Sequence, residues 1–168
     1  MQEMTIYGVS FDLVGKQPIV LLKTADGNKF LPIWIGHNEA AAILMKLQSQ
    51  ESPRPMTHDL LTEMVDQLGG SIARITVTEL RENTYYAQIT VLQDGQEIEI
   101  DSRPSDAIAL AIRTEAPIFA ADDVMAESAI EFEGDGEVDE EQLEAEVVKF
   151  LSFLDDVTPD QFVVEDDE

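Results

Sequence analysis

The sequence predicts an α+β protein: a mixed, mostly antiparallel sheet with helices packed against it, followed by an acidic, helical C-terminal tail. Three observations predict this. Strand-like and helix-like segments come in blocks rather than in strict alternation, which disfavours a doubly wound sheet. Asp26-Gly27 and Asp94-Gly95 lie between apolar runs and read as hairpin turns. Each half of the body also echoes the other, running strands, an Asp-Gly turn, more strand and then helix.

The elements follow in order. Residues 4–11 read as a strand, and Ile19-Val20-Leu21-Leu22 makes 18–24 a buried one. Residues 29–35 alternate, with Leu31, Ile33 and Ile35 on one face and Pro32 and Trp34 on the other. A proline inside a strand places it at an edge, so its apolar residues serve either the core or a dimer contact. Asn38 is an N-cap candidate for a helix striped by Ala40, Ala41, Ile43, Leu44 and Leu47. After a loop with Pro53 and Pro55, Thr57 can cap a second helix. Leu60, Leu61, Met64, Val65 and Leu68 form its stripe, and Gly69-Gly70 ends it. Residues 71–80 and 84–92 read as paired strands, with Ile98 and Ile100 on a third. Pro104 suits the first turn of a helix striped by Ala107, Ile108, Leu110, Ala111 and Ile112. Ile118-Phe119-Ala120 is a short strand. Beyond the acidic stretch, Asp139 and Gln142 resemble a capping box. Leu143, Val147, Phe150, Leu151 and Leu154 share one helical face.

Length and composition bound the function. The 168 residues suit a domain over 1–126 and an appendage over 127–168. A hydrophobic content of 44% is enough for a core. No run approaches the ~18 apolar residues of a membrane helix, and Met1-Gln2-Glu3-Met4 does not open a secretory signal, so a cytoplasmic protein is expected. The absence of cysteine excludes disulfide frameworks, thiolate metal sites and cysteine nucleophiles. Charge is the anomaly. Residues 1–120 hold 16 acidic and 9 basic residues, whereas residues 121–168 hold 19 acidic residues and one lysine. The net of −25 opposes polyanion binding and favours solubility or a basic partner.

Two segments carry candidate chemistry: Arg54-Pro55-Met56-Thr57-His58-Asp59 and Asp101-Ser102-Arg103-Pro104-Ser105-Asp106. Both set an arginine, a proline, a hydroxyl and an acid at a helix start. Free N–H groups and the helix dipole favour anions there, and an arginine fork fits phosphate oxygens. Asp59, Asp101 and Asp106 can hold a hydrated divalent cation, or Asp59 can orient His58. The same residue types cap helices, so a purely structural role stays open. His58 and His37 are the only histidines, and His37 before Asn38 reads as a turn residue. Glu39 is explained by the helix dipole unless it converges with Asp106. Nucleotide-binding glycine loops, His-Glu-x-x-His and Gly-x-Ser-x-Gly are absent. Trp34, Tyr85 and Tyr86 lack a basic run beside them, so core packing is expected rather than base stacking.

Leu31-Pro32-Ile33-Trp34-Ile35-Gly36 with Glu39-Ala40, then Arg54-Pro55 with Thr57-His58-Asp59, then Asp101-Ser102-Arg103-Pro104-Ser105-Asp106-Ala107-Ile108-Ala109-Leu110-Ala111, together resemble the bifunctional nuclease family. The likeness runs over residues 3–125, and the acidic tail with its Phe-Leu-x-x-Leu helix resembles bacterial members. The resemblance implies an α+β domain that self-associates, a dimer being favoured, and cleaves DNA and RNA with the help of a divalent cation. It carries over Glu39, His58, Asp59, Arg103 and Asp106 as catalytic candidates, with Arg54 and Ser105 touching substrate. As a mechanism, Asp59 and Asp106, with Glu39 beside them, would bind a magnesium or manganese ion that activates water. Arg103 and Arg54 would clamp phosphate, and His58 would move the proton. The rival expectation is a non-catalytic regulatory domain that recognises a phosphorylated ligand or a protein partner. The net charge favours that rival, because each phosphate contact needs a cation.

Overall fold

A computed structural model of the chain describes residues 1–11 and 16–131. The elements are β1 (Gln2–Phe11), β2 (Pro18–Thr24), β3 (Lys29–Trp34), α1 (His37–Leu47), α2 (Thr57–Gln67), β4 (Gly70–Arg81), β5 (Thr84–Gln93), β6 (Gln96–Ser102), α3 (Pro104–Thr114), β7 (Ile118–Ala120), α4 (Asp122–Ser128) and β8 (Ile130–Glu131). The amphipathic stripe expected over 143–154 and its capping box lie outside the described residues.

The strands form one sheet in the order β6-β5-β4-β7-β1-β2-β3-β8. Every pairing is antiparallel except β4 with β7. The two expected halves are two meanders, β1-β2-β3 and β4-β5-β6, and β7 joins them edge to edge. Both Asp-Gly pairs make turns. Asp94 and Gly95 both have positive φ, as a two-residue hairpin turn of this hand requires. β3 keeps part of its edge character. Its start pairs with β8 at Lys29 and Phe30, while Pro32 lies beyond that short ladder. The fold is thus α+β with a mostly antiparallel mixed sheet, as the sequence predicts.

The core lies between one sheet face and the helices. Val20, Leu22, Leu31, Ile33, Ile75, Val77, Ile89 and Ile118 face Ala40, Ile43, Ala107–Ala111 and Val124. Leu31, Ile33 and Ile35 belong to this core, which settles their role in favour of packing. Trp34 points to the other face and is exposed, not packed in the core. α4 and β8 close the described part of the body, with Val124 and Met125 of α4 buried. At the helix starts, α1 is capped by Gly36 rather than Asn38, and α2 by Met56 rather than Thr57. In each case the helix begins one or two residues early, so the polar residue falls inside the first turn. The largest departure concerns α2. Most of its apolar stripe does not face the core: Leu60, Leu61, Met64 and Leu68 are exposed, Val65 packs against the core, and the buried residue of this helix is His58.

Candidate active site at three helix starts

α1, α2 and α3 each carry an acid in the first turn: Glu39, Asp59 and Asp106. A carboxylate there meets unsatisfied N–H groups and the positive end of the helix dipole. In α3, Arg103 is the N-cap and Pro104 opens the helix. This turn places the Arg103 guanidinium beside Asp106, with Nε donating to Asp106 Oδ2 at 2.9 Å. Arg103 Nη2 donates to Glu39 Oε1 at 2.8 Å, which ties the starts of α1 and α3 together. The other Asp106 oxygen, Oδ1, lies 2.9 Å from Nε2 of His58 in α2. His58 is 7% exposed. Four residues from three helices therefore form one connected chain: His58, Asp106, Arg103 and Glu39.

The cluster has a buried side and an open side. His58 and Glu39 are largely covered, whereas the Arg103 side chain is 65% exposed. Hydrogen bonds from Arg103 to Asp106 and then Glu39 push the guanidinium further into its charged range. Gly36 makes room for this arrangement. A Cβ at Gly36 would run into the Glu39 carboxylate, which folds back over the start of its own helix.

Asp59 serves a different contact. Its Oδ2 accepts the Met56 backbone N–H at 3.0 Å, and its Oδ1 accepts from Arg113 Nε at 2.7 Å. The Arg113 hydrogen bond, more than any other influence, holds its carboxyl below the ordinary aspartate range. Arg113 also donates to the carbonyls of Ala109 and Ala42, at 2.8 and 3.1 Å. It thereby joins α1, α2 and α3 from behind the cluster, and its side chain is only 7% exposed. Sequence reading missed Arg113. An arginine in the last turn of a helix reads as ordinary dipole complementarity, and no local motif marks it.

The remaining candidates are more peripheral. Ser105 is buried at the start of α3, next to Asp106. Arg54 is exposed in the loop before α2 and makes no ion pair among the described residues. His37 is exposed in the first turn of α1, and Asp101 is exposed on β6. The expected pairing of Asp59 with Asp106 around a cation is not what the side chains do, because Asp59 turns to Arg113. Among the described residues no three His, Asp or Glu side chains are grouped to hold a metal ion.

Comparisons with known proteins identify the family of the domain. Residues 20–133 match the family model of the bifunctional nuclease domain. An uncharacterized protein of Mycobacterium tuberculosis (strain ATCC 25618 / H37Rv) is 40% identical over 164 residues, covering 96% of this chain and 98% of that protein. Bifunctional nuclease 1 of Oryza sativa subsp. japonica is 31% identical over 103 residues, which is 59% of this chain and 31% of the plant protein. Bifunctional nuclease 1 of Arabidopsis thaliana is 31% identical over 105 residues, 60% of this chain and 32% of that protein. The family-model match runs from within β2 through β8 and takes in all three helix starts, and on this ground the chain belongs to the bifunctional nuclease domain family.

Proposed function

We propose that this protein is a cytoplasmic, self-associating nuclease that hydrolyses phosphodiester bonds of DNA and RNA with low sequence specificity. The observation that carries the reading is the meeting of His58, Asp106, Arg103 and Glu39 at three helix starts. Asp106 holds His58 through Nε2, which leaves Nδ1 as the nitrogen that takes or gives a proton. Arg103 presents its exposed edge to phosphate, while Asp106 and Glu39 fix the other edge. Such a site reads phosphate rather than base edges, which fits low sequence specificity.

The donor set does not suit a cation cage made of protein alone, since Asp59 is engaged by Arg113 and both other carboxylates by Arg103. The cation part of the reading is narrower for that reason. A magnesium or manganese ion would have to displace His58 or Arg103 from Asp106, since these two hold both of its oxygens.

The test is cleavage of single- and double-stranded substrates by purified protein, with and without chelator. Asp106→Asn and His58→Gln are expected to slow cleavage by about 10²–10⁴-fold with the fold intact by circular dichroism. Gly36→Ala displaces the Glu39 carboxylate and is expected to cost about tenfold through lost positioning. Wild-type rates in both Asp106→Asn and His58→Gln would refute the site. The charge of −25 supports a second reading, a binding domain for a phosphorylated ligand. That reading predicts no cleavage and phosphate-dependent protection of Arg103.

A further inference from the structure

We infer that the outer face of α2 is the seat of a second copy of this chain, packed with its own α2 antiparallel to the first. Leu60, Leu61, Met64 and Leu68 on this helix, and Met56 just before it, are between 40% and 71% exposed. The patch continues onto the sheet. Beneath the patch, Val65 of α2, packed against the core, and the buried Val91 of β5 meet at Gly70, where the helix joins the sheet. On β6, Ile98 lies opposite Val91 and Ile100 opposite Ile89, so both isoleucines share the helix side and are exposed. Together these side chains offer on the order of 600 Å² of apolar surface, the upper end of what an ordinary monomer shows. That is most of the ~800 Å² each partner gives to a standard interface.

Charge favours a second copy in one orientation. Arg54 precedes α2, while Glu63 and Asp66 lie in its second half. Antiparallel pairing brings Arg54 of each copy toward the partner's Glu63 and Asp66, and it opposes the two helix dipoles favourably. Pairing through the open edge of β6 is the worse alternative. It would bring Glu97, Glu99 and Asp101 against the same acids of the other copy.

The consequence reaches the site, and this step deepens the nuclease reading above and rests on it. α2 turns His58 inward and its leucines outward, so the surface that takes the second copy and the residue that meets Asp106 share one helix. Covering the outer face holds α2 against the body and keeps His58 on Asp106. Activity per chain therefore rises with dimer formation.

Sedimentation of the full chain at micromolar concentration, which needs no activity, is the primary test. A dimer is expected. Leu61→Glu with Met64→Glu should weaken it by about a hundredfold. Trp34→Arg, on the opposite sheet face, should not. Arg54→Glu should weaken the dimer, and adding Asp66→Arg should restore it. A full chain that stays monomeric overturns the inference. A dimer that survives Leu61→Glu with Met64→Glu, or breaks with Trp34→Arg, overturns it in favour of another surface. If dimerisation behaves as stated but no form cleaves nucleic acid, the surface stands and the nuclease reading falls.

Discussion

α2 and α3 are helices of eleven residues each, and both deliver a side chain to the same cluster, yet they are held in opposite ways. α3 buries seven residues, from Pro104 and Ser105 through Ala107–Ala111, against β4 and β5. α2 buries one, and that one is a histidine. Its ties to the body are mostly polar, His58 to Asp106 and Asp59 to Arg113, with Val65 as its apolar contact to the core. Gln93 adds a hydrogen bond to the carbonyl of Leu68 at its end. The lesson is that the site has a fixed half and an attached half. Hydrophobic burial sets Asp106 and Arg103 in place, whereas specific hydrogen bonds bring His58 to them. Burial has no direction and tolerates small shifts, but a hydrogen bond fails over a few tenths of an ångström. The geometry of the candidate site therefore depends most on the helix with the smallest share of the core.

The sharpest way to break this comparison is to damage each helix where it is anchored. Ile108→Ala empties a fully buried position in α3 and is expected to cost about 3–4 kcal/mol in chemical denaturation. Arg113→Met keeps the apolar length of the side chain but removes donors to Asp59, Ala42 and Ala109. About 2 kcal/mol is expected, because Asp59 is only part-covered and can recover water. The two losses should differ in kind. After Arg113→Met, amide exchange should rise over 57–67 while 107–111 stays protected. Equal exchange in both helices would show that α2 is held by more than its polar ties.

Acid should loosen the same link. The Asp59 carboxyl sits below its ordinary range because Arg113 holds the charged form. The stability it adds is complete above the unfolded value. It is lost as pH falls through the lower folded value, where the folded carboxylate takes up its proton. The expected sign is thus a loss of α2 protection under strongly acidic conditions. Arg113→Met should remove that part of the pH dependence.

These contrasts also explain what the sequence made legible. The meanders, the helices and the α+β class follow from apolar periodicity and the two Asp-Gly turns, which are local signals. The meeting of 54–59 with 101–106 was legible only as matching residue types at two helix starts, and His58 on Asp106 bears it out. The direction of the α2 stripe was not legible. Periodicity shows that Leu60, Leu61, Met64 and Leu68 share one face, but not whether that face meets the sheet or a partner. Arg113 was hidden for a related reason, since its three partners come from three elements. α4 and β8 were masked by the acidic composition around them, although Val124 and Met125 bury well.

The smallest expected effect is the most discriminating for the comparison. Leu68→Ala removes the most exposed large apolar side chain of the α2 region. In a dilute, monomeric sample its cost should lie within about 0.5 kcal/mol, as for an ordinary surface substitution. At high protein concentration the wild type gains stability from association, because only the folded chain presents the apolar face, and the variant should gain less. The difference between the two chains should therefore grow with concentration. A dilute-sample loss of about 2 kcal/mol or more would mean that Leu68 already packs like a core residue. α2 would then be fixed by burial, as α3 is, and the division of the site into a fixed and an attached half would not hold.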